Sequence, residues 1–235
     1  LRPGEALSAL AFIKRRFTHH FATFEHRLGN AASGAVLHGW RLPTSVPSVM
    51  HLAATPWLMK LLDKAIDDSD TRLALQSQLE RGTDMLGCPE ADSRLPGVVD
   101  AFERAGLDGK LAGVDPSIFF SSVLEHPRQV GDSLLDQAQS ARLVSGLNSL
   151  RHESGLGEPA PFYAILLMDG DSLGSQLGDA RRQGPISRAL NAFTKGVPDH
   201  IEAHQGFLVY AGGDDVLALL PVTTAPECAK ALHDH

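Results

Sequence analysis

The sequence predicts an α+β fold, with a mainly helical part over residues 1–155 and the opening of a split β-α-β sheet domain over 156–235. Three observations carry this. Apolar residues recur at helical spacing through most of the first part. The pattern changes near residue 155, where Gly155, Gly157, Pro159 and Pro161 form a break ahead of the unbroken apolar run Tyr163–Met168. Two further strand-length runs then flank the glycine-rich segment Ala211-Gly212-Gly213-Asp214-Asp215.

Taken in order, residues 5–16 read as an amphipathic helix, with Leu7, Leu10, Ala11 and Lys14 at helical spacing. Residues 28–48 are rich in Gly, Pro, Ser and Thr and read as irregular. A helix is expected over Val49–Ala54, and a second from Pro56, capped by Thr55, to about Ile66. Asp70 is placed to cap a helix over 71–81, whose apolar face is Leu73, Leu75 and Leu79. Glycine and proline punctuate 82–97, and helices follow over 98–105 and 132–150. The run ending at Asp169 and Gly170 reads as a fully buried strand. A helix over 186–204 presents Ile186, Leu190, Phe193, Val197 and Ile201, with interruptions at Gly196 and Pro198. Gly206–Tyr210 and Val216–Leu220 are strands joined by a tight hairpin, and a last helix begins near Pro226 with Thr224 as its cap.

Composition narrows the function classes. Hydrophobic residues make up 43% and charged residues 21%, an ordinary globular balance. No apolar run approaches the ~20 residues of a membrane helix and no secretory signal opens the chain, so the expectation is a cytoplasmic protein without a membrane partner. The first residue is Leu1, which suggests a piece of something longer. Cys88 and Cys228 are the only cysteines, which excludes a disulfide framework or a cysteine zinc site. Net charge is −7, yet residues 1–60 hold seven Lys/Arg against Glu5 and Glu25. Such a basic segment suits either a solvated helix face or contact with phosphates.

Connection rules place the third strand between the first two and antiparallel to both. Asp169, with Asp171, then shares one rim of the sheet with Asp214 and Asp215, about forty-five residues away in sequence. Clustered carboxylates repel one another unless a cation sits among them. All-oxygen ligands suit Mg²⁺ or Mn²⁺ held by carboxylates together with nucleotide phosphates. Such ions serve nucleotidyl transfer, and bare glycines let a triphosphate approach the backbone. Glycine–aspartate pairs also occur in turns for geometric reasons alone, so it is the combination with Asp169-Gly170-Asp171 that favours the metal reading.

Met168-Asp-Gly-Asp171 and Tyr210-Ala-Gly-Gly-Asp-Asp215 resemble the catalytic palm of the Cmr-type large subunit, the GGDD protein of type III-B CRISPR–Cas effector complexes. The flank from Asp215 through Pro221 to Glu227-Cys-Ala is similar to the same family, and 5–15 and 43–49 resemble the segments linking its two palms. The resemblance implies a ferredoxin-like palm related to nucleotide cyclases, truncated here before its fourth strand. It implies a metal-dependent enzyme that converts ATP to cyclic oligoadenylates when target RNA pairs with guide RNA, in company with other Cmr-type subunits. Carried over, Asp169, Gly170 (through its carbonyl), Asp214 and Asp215 bind metal. Asp169, Asp214 and Asp215 are catalytic, and Gly170, Gly212 and Gly213 lie near the nucleotide. Asp171 caps the following turn or joins the site. The family's HD nuclease domain has no counterpart, and His233-Asp234 spells that dyad by chance.

His19-His20 with His26 form the densest histidine group and read as solvated or core-edge residues. Residues 14–16, Lys-Arg-Arg, suit contact with guide-RNA phosphates, and Trp40 and Trp57 read as packing residues. No Walker loop and no Gly-x-Ser-x-Gly elbow occurs. Two alternatives stay open. One is a diguanylate cyclase, against which Val216 stands where phenylalanine is usual. The other is a non-catalytic scaffold for guide RNA and neighbouring subunits, with GGDD as a plain turn.

Overall fold

The computed structural model describes residues 8, 9, 13, 23, 25–27, 36–38, 47–87, 95–126, 129–130, 133–170 and 173–235. Compactness divides the chain at Val46 and Pro47. In the first unit, strands β1 (Glu25–Arg27) and β2 (Val36–His38) pair antiparallel with His26 opposite Leu37. The helix expected over 5–16 falls almost wholly outside the described residues, as do 14–16, His19-His20, Trp40, Cys88 and Asp171.

The second unit runs from Pro47 to His235 and holds both the helices and the sheet, so the compositional break near 155 falls inside it. Helix α1 spans Val49–Asp67, with Ser48 accepting a bond from the His51 amide. Two helices were expected here, divided at Pro56. Proline removes the donor that would meet the Leu52 carbonyl, and beside it Thr55 Oγ1 donates to the His51 carbonyl at 2.7 Å. Leu52, Ala53, Trp57, Leu58 and Leu61, on both sides of the proline, are buried in one core, which holds the helix continuous. Helix α2 (Ser69–Leu86) begins earlier than Asp70 predicts, because Asp68 is its cap and accepts from the Asp70 and Thr71 amides. The Thr71 hydroxyl and amide hold the Asp68 carboxyl below the usual carboxylate range. Leu75 and Leu79 face inward as expected, whereas Leu73 is 62% exposed because it lies across the helix from Leu75.

Helix α3 (Pro96–Arg104), two 3₁₀ turns (Gly109–Gly113 and Pro116–Phe119) and the single turn α4 (Ser121–Leu124) follow. The short pair β3 (Gln129–Val130) and β4 (Ser133–Leu134) leads into α5 (Gln137–Ser154). This helix starts at a capping box between Asp136 and Gln139 and ends at Gly155, whose φ of 65° lets the chain turn away. Phe102, Phe119, Leu61, Leu143 and Leu147 are among the buried residues of this half, and Trp57 tilts against Phe119 at 5.3 Å. Gln78, also fully buried, donates to the carbonyls of Ile118 and Leu143 and so joins three elements.

The glycine- and proline-rich break is tied down at three points. Trp57 Nε1 donates to the Gly157 carbonyl at 2.7 Å, Lys64 Nζ donates to the Ser154 carbonyl at 2.6 Å, and Arg151 pairs with Glu158 at 2.9 Å. Beyond it come β5 (Tyr163–Met168), α6 (Leu173–Leu177), α7 (Ala180–Ala203), β6 (Phe207–Gly212), β7 (Asp215–Pro221) and α8 (Ala225–Asp234). The strand order is β5-β7-β6 with both pairings antiparallel, the central placement of the third strand that the connection rules predict. The second unit is α+β, its helices first and its three-stranded sheet after.

Three expectations change here. Helix α7 passes unbroken through Pro185, Gly196 and Pro198, because Val197 and Ile201 anchor it to the sheet on either side of Pro198. Thr224 precedes α8, but its hydroxyl bonds the His204 carbonyl at 2.8 Å instead of capping. Strand β5 is only half buried. Leu166 and Met168 pack beneath the helices, while Ile165 and Leu167 on the other face are 63% and 74% exposed. An apolar run does not distinguish a strand buried on both faces from one covered on a single face at a sheet edge. On that second face Phe207 and Leu219 pack against the helical core, which joins the two halves. No helix among the described residues is long and apolar enough to cross a membrane.

Candidate functional site

The site grows from the hairpin. Gly212 pairs with Asp215, leaving Gly213 and Asp214 as a two-residue turn. Gly213 has φ of 65°, the left-handed value that glycine supplies in such hairpins. Thr194 Oγ1 on α7 donates to the Gly213 carbonyl at 3.2 Å and ties the turn to the helix beneath. On the neighbouring strand, Met168 pairs with Val216, so Asp169 emerges beside Asp215.

Asp169, Asp214 and Asp215 each offer a carboxylate oxygen, and these lie within 4.8 Å of one another. Asp169 and Asp215 are exposed and Asp214 is half-buried. The structure thus brings together the three acids that the sequence singles out. Gly170 makes their approach possible: a Cβ there would stand 2.6 Å from Asp214 Cβ and 3.0 Å from its Oδ2. The carboxyl of Asp215 is pushed above its ordinary range, first by desolvation, then by the charges of Asp169 and Asp214, with a hydrogen bond to Asp169 adding to it.

Three mutually repelling carboxylates form an all-oxygen donor set that fits a hard divalent cation such as Mg²⁺ or Mn²⁺. The cradle at Gly170 is a second feature that fits such an ion, since a side chain there would break up the set. Tyr210, which carries no role in the sequence reading beyond its place in the motif, bends its ring over Gly212, so that a Cβ at Gly212 would collide with the phenol. The signal for it was strand alternation, which sets Tyr210 and Gly212 on one face.

A charge test follows from this geometry. A carboxyl whose folded pKa is raised favours folding while protonated, and that contribution is lost as pH rises from the ordinary carboxylate value through the raised one. In metal-free protein Asp169→Asn is therefore expected to raise the melting temperature at pH 7. The gain should fade in high salt and in acid, as the Asp215 carboxyl takes up its proton. Thermal melts across pH in EDTA check this, and a lower melting point for the variant at pH 7 would show that the acids do not repel.

Residues 162–235 match the family described as Cas10/Cmr2, second palm domain. The chain is also 30% identical over 147 residues to the CRISPR system Cmr subunit Cmr2 of Pyrococcus furiosus. That alignment covers 49% of this chain and 17% of the relative, so the chain spans under a fifth of the protein it matches.

Proposed function

We propose that this chain, whose residues 162–235 match the Cas10/Cmr2 second palm domain family, is part of the large subunit of a type III-B, Cmr-type CRISPR effector and that its palm is a metal-dependent nucleotidyltransferase. The observation that carries this is the meeting of Asp169, Asp214 and Asp215 at the hairpin, with Gly170 bare beside them. These three acids, with the Gly170 carbonyl, would hold Mg²⁺ or Mn²⁺. Once bound, the cation supplies positive charge to phosphate oxygens and favours ionisation of an attacking hydroxyl.

The chain's own residues do the rest. Gly213 presents backbone without a side chain where the triphosphate of ATP would lie, and Gly212 stands beside it under the Tyr210 ring. The Thr194 hydroxyl fixes the turn, so the carboxylates need little reorganisation on binding. The proposed reaction is attack of a 3′-hydroxyl on an α-phosphate with loss of pyrophosphate, giving cyclic oligoadenylates. Guide RNA, target RNA and other Cmr-type subunits are the partners this reading implies, in the cytoplasm where such complexes would meet RNA.

Calorimetric titration of ATP into the chain tests the reading. Binding is expected with Mn²⁺ and none in EDTA, with GTP no tighter than ATP. Tighter GTP binding would favour a cyclase of the guanine class. No binding to folded protein in either condition would favour a scaffold in which the hairpin is a plain turn.

A further inference from the structure

The sheet face that carries Asp215 continues, one step along the strands, as apolar surface, exposed at Tyr210 and Leu167 and half-buried at Leu217 between them. Alternate residues share a face, so Tyr210 lies with Gly212 on β6, and Leu217 with Asp215 on β7. Tyr210 pairs with Leu217, and Leu167 stands opposite Leu217 on β5. These three residues form a row across the whole sheet, next to the carboxylates on their own face. Tyr210 is 54% and Leu167 74% exposed. One row further on, Phe207 and Leu219 pack against the helical core while Ile165 at the β5 edge is 63% exposed, so on β6 and β7 the covering provided by this chain stops where the row begins. The Tyr210 ring also leans toward the hairpin and lies over Gly212.

Adjoining aromatic and aliphatic side chains left in water beside a cluster of carboxylates are unfavourable and offer a surface for a ligand held at that cluster. The occupant has to be continuous with the carboxylate site. It needs a group that binds cations at one end and a flat apolar body about one strand step away, roughly 7 Å along the strand. A nucleotide has that form, with phosphates joined through a ribose to a planar base. No charged residue stands in the row, which suits the face of a neutral base.

Resting on the proposed nucleotide site, we propose that Tyr210, Leu217 and Leu167 form the base platform of that site, with Tyr210 stacking on the base. Stacking on such a surface depends on the size of the ring and not on its hydrogen-bonding edge, so purines bind better than pyrimidines.

The test titrates two probes with Mn²⁺, ATP and inorganic tripolyphosphate, into wild type, Tyr210→Ala and Tyr210→Phe. Tyr210→Ala is expected to weaken ATP roughly tenfold and leave tripolyphosphate unchanged, while Tyr210→Phe binds both like wild type. CTP should bind wild type more weakly than ATP. An unchanged ATP affinity in Tyr210→Ala, or equal losses for both probes, overturns the platform and leaves the carboxylate site standing. Failure of both probes on wild type overturns both readings. Self-association lost in Tyr210→Ala with ATP affinity intact would assign the face to a second copy of the chain and likewise overturn the proposal.

Discussion

Gly170→Ala is expected to remove metal-dependent ATP binding, by at least about 100-fold, while leaving the melting curve almost in place. The added methyl would stand 2.6 Å from Asp214 Cβ, a distance at which one of the two must move. Asp214 has little freedom to yield, because it occupies a two-residue turn set by the left-handed Gly213 and tied to Thr194. Moving it takes its oxygen out of reach of Asp169 and Asp215, and the donor set is lost. The fold should tolerate the change, since Gly170 is exposed and is not among the glycines with positive φ. Asp214→Ala/Asp215→Ala should lose binding equally, and Gly174→Ala, where a Cβ meets nothing within 4 Å, should lose none. Full ATP affinity in Gly170→Ala would remove Asp214 from the ligand set.

The site was the more legible part of this sequence, and the helices the less. Asp169, Asp214 and Asp215 could be placed together because strand connections obey handedness and adjacency rules that need no side-chain detail. The same alternation that brings them together sets Tyr210 on their face, but which way its ring leans depends on Gly212 offering no Cβ, and that is invisible before the coordinates. The start of α2 was misplaced by a local choice between Asp68 and Asp70 as cap, whereas helix continuity past the expected breaks was missed because tertiary burial outweighed local chemistry. Pro56, Gly196 and Pro198 each read as breaks, yet α1 and α7 run through them. The half-exposure of β5 was hidden for another reason. Ile165 and Leu167 are as apolar as Leu166 and Met168, so nothing in their chemistry tells which pair the helices cover.

Ile201→Ala is expected to cost about 2–5 kcal/mol, with the loss concentrated in the sheet domain. The buried core between the sheet and its helices is Val197, Ile201, Val216, Ala218, Leu220, Cys228 and Leu232, with Leu166, Met168, Phe193 and Leu208 packed at its edge, so truncating Ile201 removes the branched side chain at its centre and leaves a cavity. Ile201 is 1% exposed and its carbonyl accepts the Gly206 and His204 amides, so it holds the end of α7 against the start of β6. Against a typical domain stability of about 5–15 kcal/mol, such a loss opens a sub-domain well below the global melt. Amide exchange should therefore speed up in β5, β6 and β7 while α2 and α5 keep their protection, and ATP binding should weaken as the strands open. Equal loss of protection in both halves would mean that Phe207 and Leu219, packed against the helical core, couple them so tightly that the carboxylate site opens only when the helices do. In that case stability at the site would be set by Leu61 and Phe102 as much as by Ile201, and Phe102→Ala would weaken ATP binding to the same degree.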